Sequence, residues 1–208
     1  MPERSRSSQG CEDDAREALL AAARATPSGP ASLSVRWRRS GADGFLLAPD
    51  PSQGRVAAPD DVAWMALDAG GPPQNEAGSA RPDRPPADWR LHRDLYRHRA
   101  EVGAVIRSRP VYCTTLACSA RIQAQGIPAF HPDVALAGGD SIRCAAPVDS
   151  FASFEHVAAA LEGRAACLLA ACGLLATGAT LQAATVLAAE IETLARIYWQ
   201  VLLMGDAG

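Results

Sequence analysis

Residues 165–189 pass without a single charged side chain, and this stretch constrains the fold more than any other. It is long enough to cross a bilayer. Gly173, Gly178 and Thr180 nevertheless cut it into short pieces, which suits two buried strands (167–169 and 174–176) followed by a capped helix over 180–203. On that helix Leu181, Ala184, Ile191, Leu194 and Tyr198 share one side. A strand pair leading into a long amphipathic helix predicts a layered α/β domain, with no membrane as partner.

The remainder of the chain fits this plan. Residues 12–24 have helix-forming composition and stop before Pro27. Residues 33–37 alternate apolar and polar, 41–44 are turn-forming and 45–47 are apolar, so a β-hairpin is expected. A turn at 59–62 and a strand at 64–67 follow, and then a Gly- and Pro-rich loop over 70–86. Leu91 and Leu95 give a helix its i, i+4 spacing from residue 87, and 102–106 reads as a buried strand. One helix is expected over 110–124, opened by proline in its first turn. A short extended piece at 127–130, a turn at Gly138 and Gly139, and a helix over 151–161 complete the series. A single domain over 11–208 is expected, behind a polar disordered leader over 1–10.

Composition removes several classes of chemistry. Of 208 residues none is lysine, so a Schiff-base mechanism and a lysine-bearing phosphate loop are both excluded. The net charge of −3 comes from interspersed signs without a basic block, which argues against nucleic acid as a partner. The 6 cysteines lack C-x-x-C spacing and the density of a disulfide scaffold, and are read as free thiols in a reducing cytoplasm.

Several blocks, in order, carry a family resemblance. Pro86-Ala87-Asp88-Trp89-Arg90-Leu91-His92 leads to Ala104-Val105-Ile106-Arg107-Ser108-Arg109-Pro110. Then come Ile127-Pro128-Ala129-Phe130-His131-Pro132, Gly138-Gly139, Leu168-Leu169-Ala170-Ala171-Cys172-Gly173-Leu174 and Glu192-Thr193-Leu194-Ala195-Arg196-Ile197-Tyr198. Together with a weaker match over 33–49, these resemble the class II aldolase/adducin family across most of the chain. The resemblance implies a three-layer α/β/α sandwich with a central mixed β-sheet, and a homotetramer with active sites between subunits.

The family's lyases, as the resemblance implies, hold zinc with an H-x-H pair and a third histidine before a glycine, and move a proton with a glutamate. Here the pair falls on Arg107 and Arg109, the third histidine on Cys172 and the glutamate on Asp88. The family's phosphate-binding set falls on Ala31-Ser32, Asp50-Pro51 and Pro86-Ala87, and a tyrosine that is catalytic in some members falls near Pro132. A guanidinium has five donors and no free lone pair, so it cannot coordinate a cation. Asp88 and Cys172 alone leave a catalytic zinc site short of its three protein ligands. No metal or other cofactor is therefore expected.

On an extended strand Arg107 and Arg109 would face the same way and make a positive pocket. Two readings stay open: Asp88 braces an arginine as an internal ion pair, or the arginines bind a small carboxylate or phosphate. Asp88 is the degenerate acid/base position. Cys172 lines the pocket, either as packing or as a thiol activated by its arginine neighbours. His92, His98 and His156 are assigned to helices, as surface or hydrogen-bonded structural residues, and His131 to a loop. At the level of function the choices are a non-catalytic or repurposed protein that binds a small anion or a protein partner, and a metal-independent lyase or isomerase acting on a small hydroxy-acid or sugar phosphate. In the latter, Asp88 is the base and the arginines stabilise an enolate.

Overall fold

The computed structural model describes residues 3–26, 30–39, 41–49, 57–68, 88–146 and 154–205. Strands β1 (Pro30–Arg39), β2 (Ala42–Leu47) and β3 (Ala63–Ala66) form an antiparallel meander, matching the expected hairpin and the strand after it. β4 (Ala104–Ser108) joins the free side of β1. β9 (Gly173–Gly178), β8 (Ala166–Leu169) and β7 (Cys144–Ala145) continue the sheet, which reads β3-β2-β1-β4-β9-β8-β7 with only β7 and β8 parallel. β5 (Ile127–Pro128) and β6 (Ser141–Ile142) make a separate two-stranded ribbon.

Because strand side chains alternate, the central strands feed two cores. On one face Leu33, Leu46, Ala104, Ile106, Leu168, Leu174 and Ala176 pack against α1 (Glu3–Ala25), α3 (Val111–Ala117), α4 (Ala120–Gln125) and α6 (Leu181–Met204). On the other, Phe45, Leu47, Val105, Cys167, Leu169 and Leu175 pack against α2 (Trp89–His98) and α5 (Phe154–Ala160). This is the three-layer α/β/α sandwich around a mixed sheet. Thr180 caps α6 by accepting the Ala183 N–H at 3.1 Å, so the charge-free stretch resolves into two strands and a capped helix. Among the described residues no helix is long and apolar enough to cross a membrane.

Two expectations need correction. Residues 3–10, assigned to a disordered leader, are helical, because no proline or glycine pair interrupts the run that Leu19 and Leu20 anchor in the core. The single helix over 110–124 is two, α3 and α4, broken at Cys118 and Ser119. The break frees the Ala117 carbonyl, which accepts the Ala171 N–H at 3.0 Å and the Gln123 side-chain amide at 2.9 Å. That contact comes from the β8–β9 turn, far off in sequence. The expected loop over 70–86 and the first residues of the helix over 151–161 lie outside the described residues.

Candidate active site

Arg107 is the last inward-facing residue of β4, and its cross-strand neighbour on β1 is Ser32. The register of this strand pair shifts between Pro30 and Ser32, a bulge-type irregularity of the kind that re-aims a side chain at a sheet's rim. Both side chains converge on Asp88, which opens α2. Ser32 Oγ donates to Asp88 Oδ2, and Arg107 Nη1 donates to the same oxygen at 3.1 Å. The Asp88 carboxylate does not cap its own helix, although the positive end of the α2 dipole favours an anion there.

From Asp88 a polar chain runs inward. His92 Nε2 lies 2.8 Å from Ser32 Oγ, His92 Nδ1 lies 2.7 Å from Ser34 Oγ, and Ser34 Oγ lies 2.8 Å from the Tyr96 hydroxyl. The spacing explains the fit. Asp88, His92 and Tyr96 recur every four residues along α2, about 6 Å per step, and Ser32 and Ser34 are two residues apart on β1, about 6.6 Å. One helix face and one strand face therefore stay in step. Arg36, two residues further along β1, closes the inner end by donating to the Tyr96 carbonyl at 2.7 Å and the Arg99 carbonyl at 3.2 Å, which also satisfies the C-terminal end of α2.

All these hydroxyls and the imidazole are buried, and Asp88 is 6% exposed. Burial by itself would raise the Asp88 pKa; His92, whose Nε2 stands 3.7 Å from Oδ2, the Ser32 hydrogen bond and the charge of Arg107 outweigh it and hold the carboxyl well below the usual range. Tyr96 goes the other way, its phenol pushed up by burial. Asp88 and Arg107 therefore form a partly buried, mutually neutralising pair at the mouth of a polar chain.

The two other expected pocket residues stand further out. Arg109 lies just past the end of β4, exposed, without a hydrogen bond or ion pair to any described residue. Cys172 is half-buried in the β8–β9 turn and packs against the α2-side core. The turn is tight: Ala171 sits at φ 55 and Gly173 at φ 110, and a Cβ on Gly173 would come within 2.4 Å of the Ser108 carbonyl and 3.0 Å of the Arg109 Cα. Glycine is required there, where the turn passes against the backbone of Ser108 and Arg109. Glu192 of α6 fixes the exit from β4 by accepting the Tyr112 and Cys113 N–H groups, each at 2.9 Å, at the start of α3.

The structure thus joins Asp88 to Arg107 and leaves Arg109 and Cys172 at the rim. Ser32, at a position that aligns with the family's phosphate-binding set, gives its hydroxyl to Asp88. Asp50, Pro51, Pro86 and Ala87 lie outside the described residues. Pro132 begins a short 3-10 turn, Pro132–Ala137, in which the His131 ring accepts the Asp133 N–H. Sequence reasoning missed His92 as the centre of the chain, and the signal was available in the i, i+4, i+8 series opposite S-x-S. The donors present do not fit a divalent metal centre: two guanidinium groups cannot ligate, and Asp88 is engaged by Ser32 and Arg107. Among the described residues no group of three or more His, Cys, Asp or Glu side chains is placed to hold a metal ion.

The α/β/α sandwich around a mixed sheet, with Asp88 paired to Arg107 at the end of β4, frames the family likeness. Residues 17–199 match the family model described as "Class II Aldolase and Adducin N-terminal domain", and the chain belongs to that family. It is 38% identical over 181 residues to a 5-methylthioribulose-1-phosphate/5-deoxyribulose-1-phosphate aldolase of Rhodospirillum rubrum, covering 84% of this chain and 73% of that one. It is 34% identical over 178 residues to the L-fuculose phosphate aldolase of Escherichia coli strain K12, covering 84% and 75%. Among solved structures, an L-fuculose 1-phosphate aldolase superposes with a TM-score of 0.75 over 94% of this chain and 89% of that chain at 24% identity, a likeness of fold. These relatives are named as enzymes and lend no support to a non-catalytic role.

Proposed function

We propose that this class II aldolase-family protein takes a small carboxylate or phosphate at the end of β4, with Arg109 as the binding cation beside the Asp88–Arg107 pair, and that it does not use the family's zinc route to break a carbon–carbon bond. The observation that carries the reading is the 3.1 Å Arg107–Asp88 ion pair, with a second, exposed arginine two residues further along. Pairing cancels Arg107. Arg109 is left as the net positive charge of the rim, and a guanidinium binds carboxylate or phosphate through two parallel hydrogen bonds.

Thermal unfolding with inorganic phosphate, a sugar phosphate and a small hydroxy-acid tests this. Ligand at about a hundred times its dissociation constant adds about 2.7 kcal/mol, a rise of several degrees for a chain of this size. Arg109→Ala is expected to remove that rise while leaving the unliganded Tm near that of the parent. No rise with any of the three ligands, or an unchanged rise in Arg109→Ala, contradicts the anion site.

The named activities of the relatives favour a second reading, in which catalysis is retained without a metal: Asp88 accepts a proton from the carbon next to a carbonyl, and Arg109 stabilises the resulting enolate oxygen. Solvent deuterium entering a sugar phosphate at that carbon, and failing to enter with Asp88→Asn, would select this reading over simple binding.

A further inference from the structure

We infer that Ser32, His92, Ser34 and Tyr96 form a single one-way chain of hydrogen bonds ending on the Asp88 carboxylate, and that they are positioning residues which fix this carboxylate in the pocket. The chain stands on ligand-free geometry and holds whether or not the pocket takes an anion.

Counting protons gives the direction. An ionised carboxylate only accepts, so the Ser32 proton points to Asp88. Ser32 Oγ must then accept from His92, which places a proton on Nε2. At the other end, the Tyr96 hydroxyl is buried 2.8 Å from Ser34 Oγ, and a buried phenol proton needs an acceptor. The phenol proton therefore goes to Ser34, and the Ser34 proton goes to His92 Nδ1. Each hydroxyl gives once and receives once. The opposite direction, with a proton on Nδ1, would strand the phenol proton of a side chain that is 1% exposed, which is costly in a buried network.

The chain orients and does not conduct. Moving every proton one step toward Asp88 would leave a phenolate at Tyr96, in a place where burial already disfavours that ion. Asp88 is thereby held as a fixed acceptor, and the tautomer of His92 is set by the hydrogen bonds its two nitrogens make.

Nitrogen NMR of the full chain tests this. At neutral pH His92 is expected to show a protonated Nε2 and an unprotonated, hydrogen-bonded Nδ1. A protonated Nδ1, as the other tautomer or as imidazolium, overturns the inference, and this reading needs no variant to fold. Two variants then separate positioning from bulk structure. Gln at position 92 can keep an amide donor near Nε2, whereas Asn is too short to reach Ser32. Carboxyl-carbon titration is expected to leave Asp88 low in His92→Gln and to raise it by about one pH unit or more in His92→Asn. Equal Asp88 titration in the two variants overturns the positioning role, whatever their Tm values. Neither readout involves a ligand, so a failed anion site and a failed chain are told apart.

Discussion

The two faces of β1 and β4 do opposite things with the same strands. One face presents Leu33, Ala104 and Ile106 to the large helices and is dry; the other presents Ser32, Ser34, Val105 and Arg107 to a single helix and is largely polar. The dry face tolerates no cavity, because its stability comes from close packing. The polar face tolerates no missing partner, because each of its buried groups depends on the next. A polar chain this completely buried stabilises the fold only while it is complete, and it ends at the Asp88–Arg107 pair, beside which we propose the binding site.

Substitutions can break this contrast in order of size. Ile106→Ala, on the dry face, is expected to cost about 4 kcal/mol through a cavity at a site 1% exposed, read as a lowered denaturant midpoint with an unchanged slope. Asp88→Ala is expected to cost about 3 kcal/mol, since it strands Arg107 and a buried hydroxyl together. If the polar face were mere filler, this variant would lose under about 0.5 kcal/mol, as ordinary surface changes do.

Acid sharpens the same point. The Asp88 carboxyl is depressed in the folded state, so its contribution is present above the unfolded value of about 3.9 and is lost as pH falls below that toward the folded value. The Tm advantage of the parent over Asp88→Asn should therefore shrink steadily below about pH 4; a constant difference through that range would mean the carboxyl is not ionised in the native chain. Ser34→Ala is smaller, about 1–2 kcal/mol from loss of a bridging hydroxyl, with equilibrium unfolding as the check.

Residues whose role is local were readable from the sequence. The β1–β2 hairpin shows in its alternation, the β9–α6 junction in Gly178 and Thr180, and the two strands of the charge-free stretch in their glycine breaks. The split between α3 and α4 was not readable, because the Ala171 N–H that takes the Ala117 carbonyl comes from a distant turn. At the site, Asp88 and Arg107 meet as the ion-pair reading expects. Their companions were obscured for a geometric reason: a helix period of four and a strand period of two look unrelated in sequence, yet lie in step when the elements pack side by side. Ser32, which aligns with the family's phosphate-binding set, is the first internal link of the chain.

The central claim, that an arginine–carboxylate pair occupies the ground where a metal centre would need donors, is tested most directly by the metal content of the chain purified without added zinc. The account predicts far less than one divalent ion per chain, since Asp88 and Cys172 are two donors where a catalytic site needs three. A stoichiometric ion in the parent chain, lost on substitution of Asp88 or Cys172, would contradict it.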